Sequence, residues 1–237
     1  MNNLTIPDFN DTIRPSNEIV FCSSAVGPLQ EKLFELMEPT VKLYTKLHKM
    51  DYYLKVFPTP LDSTRPAPWG KIIIIKKLLN FYKTVIWIDS DALIYNPTID
   101  IRGDINTNYP MQLVTHNNIN PIFPNTGVWV VQKDSRSNDL LDAIWQQTHT
   151  INSAWWEQHA LIELIGYRNP FLGEPKYEGT TKYSDWVGTL DLKWNSRHGD
   201  SSENPVIFHF PGFPYEQRLE LMQKYFDEFK QKYLNQG

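Results

Sequence analysis

Val85-Ile86-Trp87-Ile88-Asp89-Ser90-Asp91 is the stretch on which the reading of this chain turns. Four apolar residues describe a buried strand whose C-terminal end then comes to the surface. Two carboxylates sit at that end. Residues 89 and 91 lie two apart, so an extended backbone points both the same way. Two hard oxygen ligands on one side of a strand end can hold Mg²⁺ or Mn²⁺ and leave positions open for phosphate oxygens. That arrangement suits an enzyme that handles a nucleotide diphosphate.

A D-x-D triplet alone also describes a solvated loop. The apolar strand ahead of it and Leu93-Ile94-Tyr95-Asn96-Pro97 behind it favour a metal site. A haloacid-dehalogenase-type phosphatase carries D-x-D on its first strand and continues into Gly-Thr. Here the triplet falls later and continues into Ala92-Leu93, which sets that class aside.

Outward from this point, strands alternate with helices. Glu18 to Ala25 predicts a first strand, ending in small residues and Gly27-Pro28. A helix follows from Leu29, with Leu33, Leu36 and Met37 on one face. Pro39 is expected to interrupt it before a second helical stretch carrying Val41, Tyr44 and Leu47. Tyr52 to Phe57 reads as the second strand. Lys71 to Tyr82 holds four isoleucines, which favour a strand, but its length and the spacing of Ile75, Leu78, Leu79 and Tyr82 favour a helix. Strands are expected at Met111 to Thr115, Gly127 to Gln132 and Val206 to Phe210. Helices are expected at Asp139 to His149, Trp156 to Ile165 and Tyr215 to Leu234. The pattern predicts an α/β fold with a mixed, mostly parallel sheet flanked by helices. Ligands of such sheets bind at carboxyl strand ends, where Ser23-Ser24 and Asp89-Ser90-Asp91 would be neighbours. One domain over 1–237 is expected, with an arm at 1–17 and a C-terminal helix within 214–237.

Composition narrows the partners. The net charge is −4, with no basic block, which argues against nucleic acid. A single cysteine, Cys22, excludes an intrachain disulfide and a cysteine-rich metal site. No run approaches the ~20 apolar residues of a membrane span. The polar N-terminus has no apolar core of signal-peptide length, so the chain reads as cytoplasmic, with a trimmed membrane-anchored parent left open. Asn3 and Asn10 open formal glycosylation sequons, which carry no weight without a secretion signal.

Other residues admit two readings each. His209, between Phe208 and Phe210, is a core histidine or the nitrogen ligand of a carboxylate site. Lys71 is a solvated helix-end lysine or the counter-charge for a diphosphate. Asn125 belongs to a turn or faces a sugar hydroxyl. Glu157 is a first-turn carboxylate favoured by the helix dipole or, with Gln158, stands beside a reacting carbon.

Taken in order, Trp69-Gly70-Lys71, Val85 to Asp91, Asn125-Thr126-Gly127-Val128, Trp156-Glu157-Gln158-His159-Ala160-Leu161, Trp194-Asn195-Ser196 and His209-Phe210-Pro211-Gly212 resemble the galactosyl/mannosyl/xylosyl transferase family and its glycogenin-like relatives. The resemblance spans Glu18 to Gly212. It implies the Rossmann-like GT-A fold and a retaining, metal-dependent transfer of a hexose or pentose from a nucleotide-diphosphate sugar, a UDP-sugar being favoured, to a glycan or other hydroxyl acceptor. By it, Asp89, Asp91 and His209 would hold Mn²⁺ or Mg²⁺. Ser23, Ser24, Lys71, Ser90, Asn125, Thr126 and Gly212 would contact the donor. Glu157 and Gln158 would lie near the anomeric carbon, where a front-face route with Gln158 as polar stabiliser is favoured over a covalent adduct. Family members carry a cysteine and a lysine soon after the H-F-x-G segment. Here Phe213-Pro214-Tyr215 follows, so that phosphate contact is missing or comes from elsewhere. The sharp expectation is that His209 lies within ligand reach of Asp91 and that Lys71 and Asn125 face the same cleft. Two alternatives remain. One is a non-catalytic sugar binder using Trp155, Trp186 or Trp194. The other is a nucleotidyltransferase, which Ser23 to Gly27 disfavours by lacking a glycine-rich basic loop.

Overall fold

The computed structural model describes residues 12–116, 123–168, 177–198, 200, 202 and 204–235. Residues 1–11, which include both sequon asparagines and most of the expected arm, lie outside this set.

The first half alternates as expected: β1 (Ile19–Val26), α1 (Pro28–His48), β2 (Asp51–Phe57), α2 (Gly70–Leu78) and β3 (Thr84–Ile88). Then come β4 (Ala92–Ile94), β5 (Met111–His116), β6 (Phe123–Gln132), α3 (Ser135–Gln146) and α4 (Trp156–Leu164). The chain continues through β7 (Val187–Leu190), β8 (Ser196–Arg197), β9 (Ile207–His209) and α5 (Tyr215–Phe229).

Six strands form one sheet in the order β2-β1-β3-β6-β5-β7. Its neighbours run parallel except where β6 pairs with β3 and β5. A small second sheet, β4-β9-β8, lies against one face. Strand alternation sends Val20, Cys22, Val85 and Trp87 to the core under α2, α3 and α4. Phe21, Ala25, Ile86 and Ile88 point the other way, into a second core with α1, α5 and the small sheet.

Two helices depart from expectation. α1 runs unbroken through Pro39. The carbonyl that Pro39 cannot reach belongs to Glu35, which is exposed, so water can satisfy it. Buried residues on both sides of the proline, from Leu33 to Thr45, hold the helix to the sheet. Leu47, expected on its apolar face, is 53% exposed. The C-terminal helix is α-helical only to Phe229 and finishes in a π turn, Lys230–Leu234. The short strands β4 and β8 had no counterpart in the sequence reading, and β7 falls in the segment from Pro170 to Trp194 expected to be mostly loop with short extended pieces.

α2 is helical, and its isoleucines Ile72, Ile73, Ile74 and Ile75 are each at most 1% exposed. Only Lys76 and Lys77 are partly exposed, and the rest of the helix is packed between the sheet and α3. It delivers Lys71 beneath the end of β3.

Candidate metal and donor site

β3 ends at Ile88, and the next residues turn out of the sheet. Ala92 N–H donates to the Asp89 carbonyl at 3.0 Å, closing a tight turn into β4. β4 pairs antiparallel with β9, placing Ala92 opposite His209. The Phe210 N–H donates to the Asp91 carbonyl at 3.0 Å, fastening the two segments together. This pairing brings residue 209 beside residues 89 and 91. His209 Nε2 lies 3.2 Å from Asp91 Oδ1 and 3.9 Å from Asp89 Oδ2. One ligand atom from each of Asp89, Asp91 and His209 falls within 4.8 Å of the others. Two ligands bound to one small cation at ~2.1–2.2 Å are at most roughly 4.4 Å apart, so small side-chain adjustments close the set.

The proton on His209 can be placed by following amides. Gly127 N–H donates to Asn125 Oδ1 at 2.8 Å, which identifies that atom as the oxygen. Asn195 Nδ2 donates to the same oxygen at 2.8 Å. Asn195 therefore turns its own oxygen to His209 Nδ1, 2.9 Å away. Nδ1 must carry the hydrogen, and the lone pair of neutral His209 sits on Nε2, facing the carboxylates. A metal-binding histidine needs this orientation. His209 is 2% exposed, so the ring has little freedom to leave it.

Gly127 makes the close approach possible. A Cβ there would meet His209 Cε1 at 2.2 Å and Nδ1 at 2.4 Å. β6 carries Gly127 across from the β3 end, with Asp89 N–H donating to the Gly127 carbonyl at 2.8 Å. The β5–β6 register slips between Leu113, opposite Trp129, and Val114, opposite Asn125. Thr126, Gly127 and Val128 thus have no partner on β5, and this irregularity turns Asn125 and Thr126 towards the site. The segment from Pro124 to Thr126, placed ahead of the strand in the sequence reading, is part of the strand itself.

Lys71 differs from the expected counter-charge for a ligand. It is 3% exposed and its Nζ lies 2.9 Å from Asp89 Oδ1, 2.8 Å from Glu157 Oε1 and 3.1 Å from the Thr126 carbonyl. An ammonium has three donors, and here all three have acceptors. The Trp87 and Trp129 rings flank the charge, with centroids at 5.6 and 5.9 Å. Trp87 Nε1 also donates to Asp89 Oδ1 at 2.6 Å. Burial raises the Glu157 carboxyl above its usual range, with Lys71 opposing. Glu157 Oε2 is buried without a partner.

Gln158 Oε1 accepts from Thr126 N–H at 3.1 Å and from Asn125 Nδ2 at 3.2 Å. Its oxygen is thereby turned towards β6, and its NH₂ group away from it. Thr126 Oγ1 lies 3.2 Å from Glu157 Oε1. Just ahead, Trp156 is 37% exposed at φ 43°, a conformation that costs a non-glycine residue of order 1–3 kcal/mol.

The serines divide. Both lie inside β1 rather than at its end, paired with Leu54 and Lys55. Pairing between β1 and β3 stops at Cys22 and Trp87, so β1 runs on past the carboxylates. By alternation Ser24 shares the face of Asp89, whereas Ser23 points to the opposite face, fully buried, its Oγ without a partner. Ser90 Oγ donates to Gln30 Oε1 at 3.1 Å on α1. Gly212 is exposed, at φ 79°, in the turn between β9 and α5. Of the tryptophans offered as sugar platforms, Trp194 is fully buried, with Nε1 donating to Asp104.

Two residues escaped the sequence reading. Arg218, in the first turn of α5, pairs with Asp91 Oδ2 at 2.9 Å. No spacing rule links it to Asp91, 127 positions earlier. Asn195 entered only as part of a motif, without the orienting task it has here.

No family profile matches this chain, and no curated protein matches it in sequence. Its fold is similar to that of solved glycosyltransferases. One is involved in glycosylation of the major capsid of PBCV-1 (TM-score 0.64, 20% identity, 87% of this chain and 98% of that one covered). Another is GlyE of Streptococcus pneumoniae TIGR4 (0.53, 12%, 92% and 64%). A third is the galactosyltransferase LgtC, solved with donor and acceptor sugar analogs (0.53, 10%, 86% and 95%). The α/β architecture is thus that of GT-A glycosyltransferases. No helix among the described residues is long and apolar enough to cross a membrane.

Proposed function

We propose that the chain is a retaining, metal-dependent glycosyltransferase, one catalytic domain that moves a hexose or pentose from a UDP-sugar to a hydroxyl acceptor. The observation that carries the reading is the convergence of Asp89, Asp91 and the Nε2 lone pair of His209 in a GT-A fold. Two carboxylates and one imidazole form a donor set that Mn²⁺ accepts and Mg²⁺ tolerates. Held by Asp89, Asp91 and His209, the cation would supply Lewis-acid charge that neutralises a leaving diphosphate.

The protein's own groups supply the rest. Lys71 holds Asp89 and Glu157 in register from below, so their geometry is set before substrate arrives. Gln158 has its oxygen engaged by β6, which makes that oxygen a poor nucleophile and leaves its NH₂ to hold a substrate oxygen. Glu157, buried with one free oxygen, lends negative charge close to where an oxocarbenium-like centre would form. Both assignments favour the front-face route, with positioning and charge stabilisation instead of a covalent adduct.

The test is thermal unfolding with Mn²⁺ or Mg²⁺ and UDP or GDP, followed by a screen of UDP-sugars for slow donor hydrolysis. A nucleotide at a hundredfold its Kd stabilises by ~2.7 kcal/mol, a shift of several degrees for a domain of this size. Wild type should shift further with metal and nucleotide together than with metal alone, and Asp89→Asn should lack that added shift. Absence of any shift, with Asp89→Asn matching wild type, overturns the proposal.

A further inference from the structure

We infer that Arg218 is a diphosphate-binding residue, a guanidinium braced on Asp91 that takes a phosphate oxygen of the donor. This rests on the nucleotide-sugar reading above. Two cations touch the cluster's carboxylates among the described residues, Lys71 and Arg218. Lys71 is buried with every donor engaged, so it has nothing left for a ligand.

Arg218 is placed differently. Its NH1 lies 2.9 Å from Asp91 Oδ2, while the other oxygen of that carboxylate is 3.2 Å from His209 Nε2. The guanidinium is thus one carboxylate away from the proposed metal position. Its NH2 donates to the Phe213 carbonyl at 2.9 Å. A guanidinium has five N–H groups, and these two contacts use one each. Nε is buried with no partner. The side chain is only 19% exposed and held at both terminal nitrogens, so presenting a further N–H to an anion costs little extra ordering. Planar, charge-assisted donors of this kind suit phosphate oxygens. A diphosphate drawn to a cation held by Asp91 would come close to this guanidinium, which contacts the same carboxylate.

The competing account is a structural latch, a salt bridge that merely ties α5 to the turn after β3. The two accounts differ in how metal and nucleotide binding change together. A ligand-binding guanidinium beside Asp91 repels a metal ion in the absence of nucleotide and attracts the nucleotide once metal is bound. A latch that positions Asp91 helps both.

Calorimetry on the full chain would measure Mn²⁺ alone, then UDP and GDP at saturating Mn²⁺, for wild type and Arg218→Gln. Arg218→Met, which keeps the apolar stem, carries the same test should the glutamine variant fail to fold. Loss of the contact should weaken nucleotide binding by roughly ten- to a hundredfold. Mn²⁺ alone should bind at least as tightly as to wild type. Wild-type nucleotide affinity in a folded variant overturns the inference while leaving the transferase reading intact. A parallel loss of Mn²⁺ affinity also overturns it, in favour of the latch. If wild type itself binds neither nucleotide with metal, the transferase reading falls first and Arg218 with it.

Discussion

Gly127→Ala probes whether His209 is a ligand set by its surroundings. The added Cβ would lie 2.2 Å from His209 Cε1, 2.4 Å from Nδ1 and 2.9 Å from Asn125 Oδ1. Ordinary carbon contacts begin near ~3.5 Å, so the ring or the strand must give by about 1 Å. The strand is held by Gly127 N–H to Asn125 and by the Gly127 carbonyl to Asp89, each at 2.8 Å. The ring is the softer partner, and moving it breaks the 2.9 Å contact with Asn195 and withdraws Nε2 from the carboxylates. Overpacking of this kind costs ~1–3 kcal/mol of stability. Misorienting a metal-binding histidine costs roughly 10–100-fold in metal affinity. Mn²⁺ titration by electron paramagnetic resonance reads the second number, and urea unfolding reads the first. Gly103→Ala is the control, since a Cβ there meets nothing within 4 Å. If Gly127→Ala binds Mn²⁺ as wild type does, His209 is not the third ligand and the site shrinks to its two carboxylates.

Asn195→Ala removes the acceptor that fixes the His209 tautomer, and Mn²⁺ affinity should fall roughly 10–100-fold with little change in fold, checked by the same titration and by circular dichroism. Lys71→Met strands Asp89 and Glu157 without their shared cation. The urea midpoint should drop by the equivalent of ~3–5 kcal/mol, and adding Glu157→Gln should restore part of it. His116, 2% exposed at the end of β5, has its imidazole pushed below the usual range by burial, with Asp200 opposing and Arg197 reinforcing. Its native state therefore binds fewer protons than the unfolded chain below about pH 6.5, so stability is full above that value and declines as pH falls. Replacing it by glutamine should flatten the decline that sets in below about pH 6.5, and an unchanged slope would count against this account.

Much of the architecture was legible because local pattern and tertiary role agree. β1, β2 and β3 are short apolar runs closed by turn residues, and the structure keeps them within a residue or so. Asp89 and Asp91 were readable for the same reason, since both belong to one strand end. Where pattern and role part, the reading slips. α2 is buried except at Lys76 and Lys77, so its four consecutive isoleucines carry no face for periodicity to find, and length had to decide. Pro39 signals a break that tertiary burial overrides. β4 and β8 have three and two residues, too few to show a period, and they exist because each pairs with β9.

The role of Lys71 shows the deeper limit. Its position in the sequence leaves it either a solvated helix-end lysine or a counter-charge for a diphosphate, and neither reading has it facing inward. With Asp89 above and Glu157 beside it, Lys71 spends its charge inside the protein. That has a consequence for the whole site. A buried cation lowers the cost of bringing carboxylates together, which suits the proposed metal site, but it cannot also screen the diphosphate of the proposed donor. That second task needs a cation at the surface of the cluster with donors to spare. The turn after His209, Phe213-Pro214-Tyr215, offers no basic side chain. The next arginine along the chain, Arg218, is brought back over Asp91 by one turn of α5. The charge absent from the local segment is therefore present in the fold, reached through a helix instead of a loop.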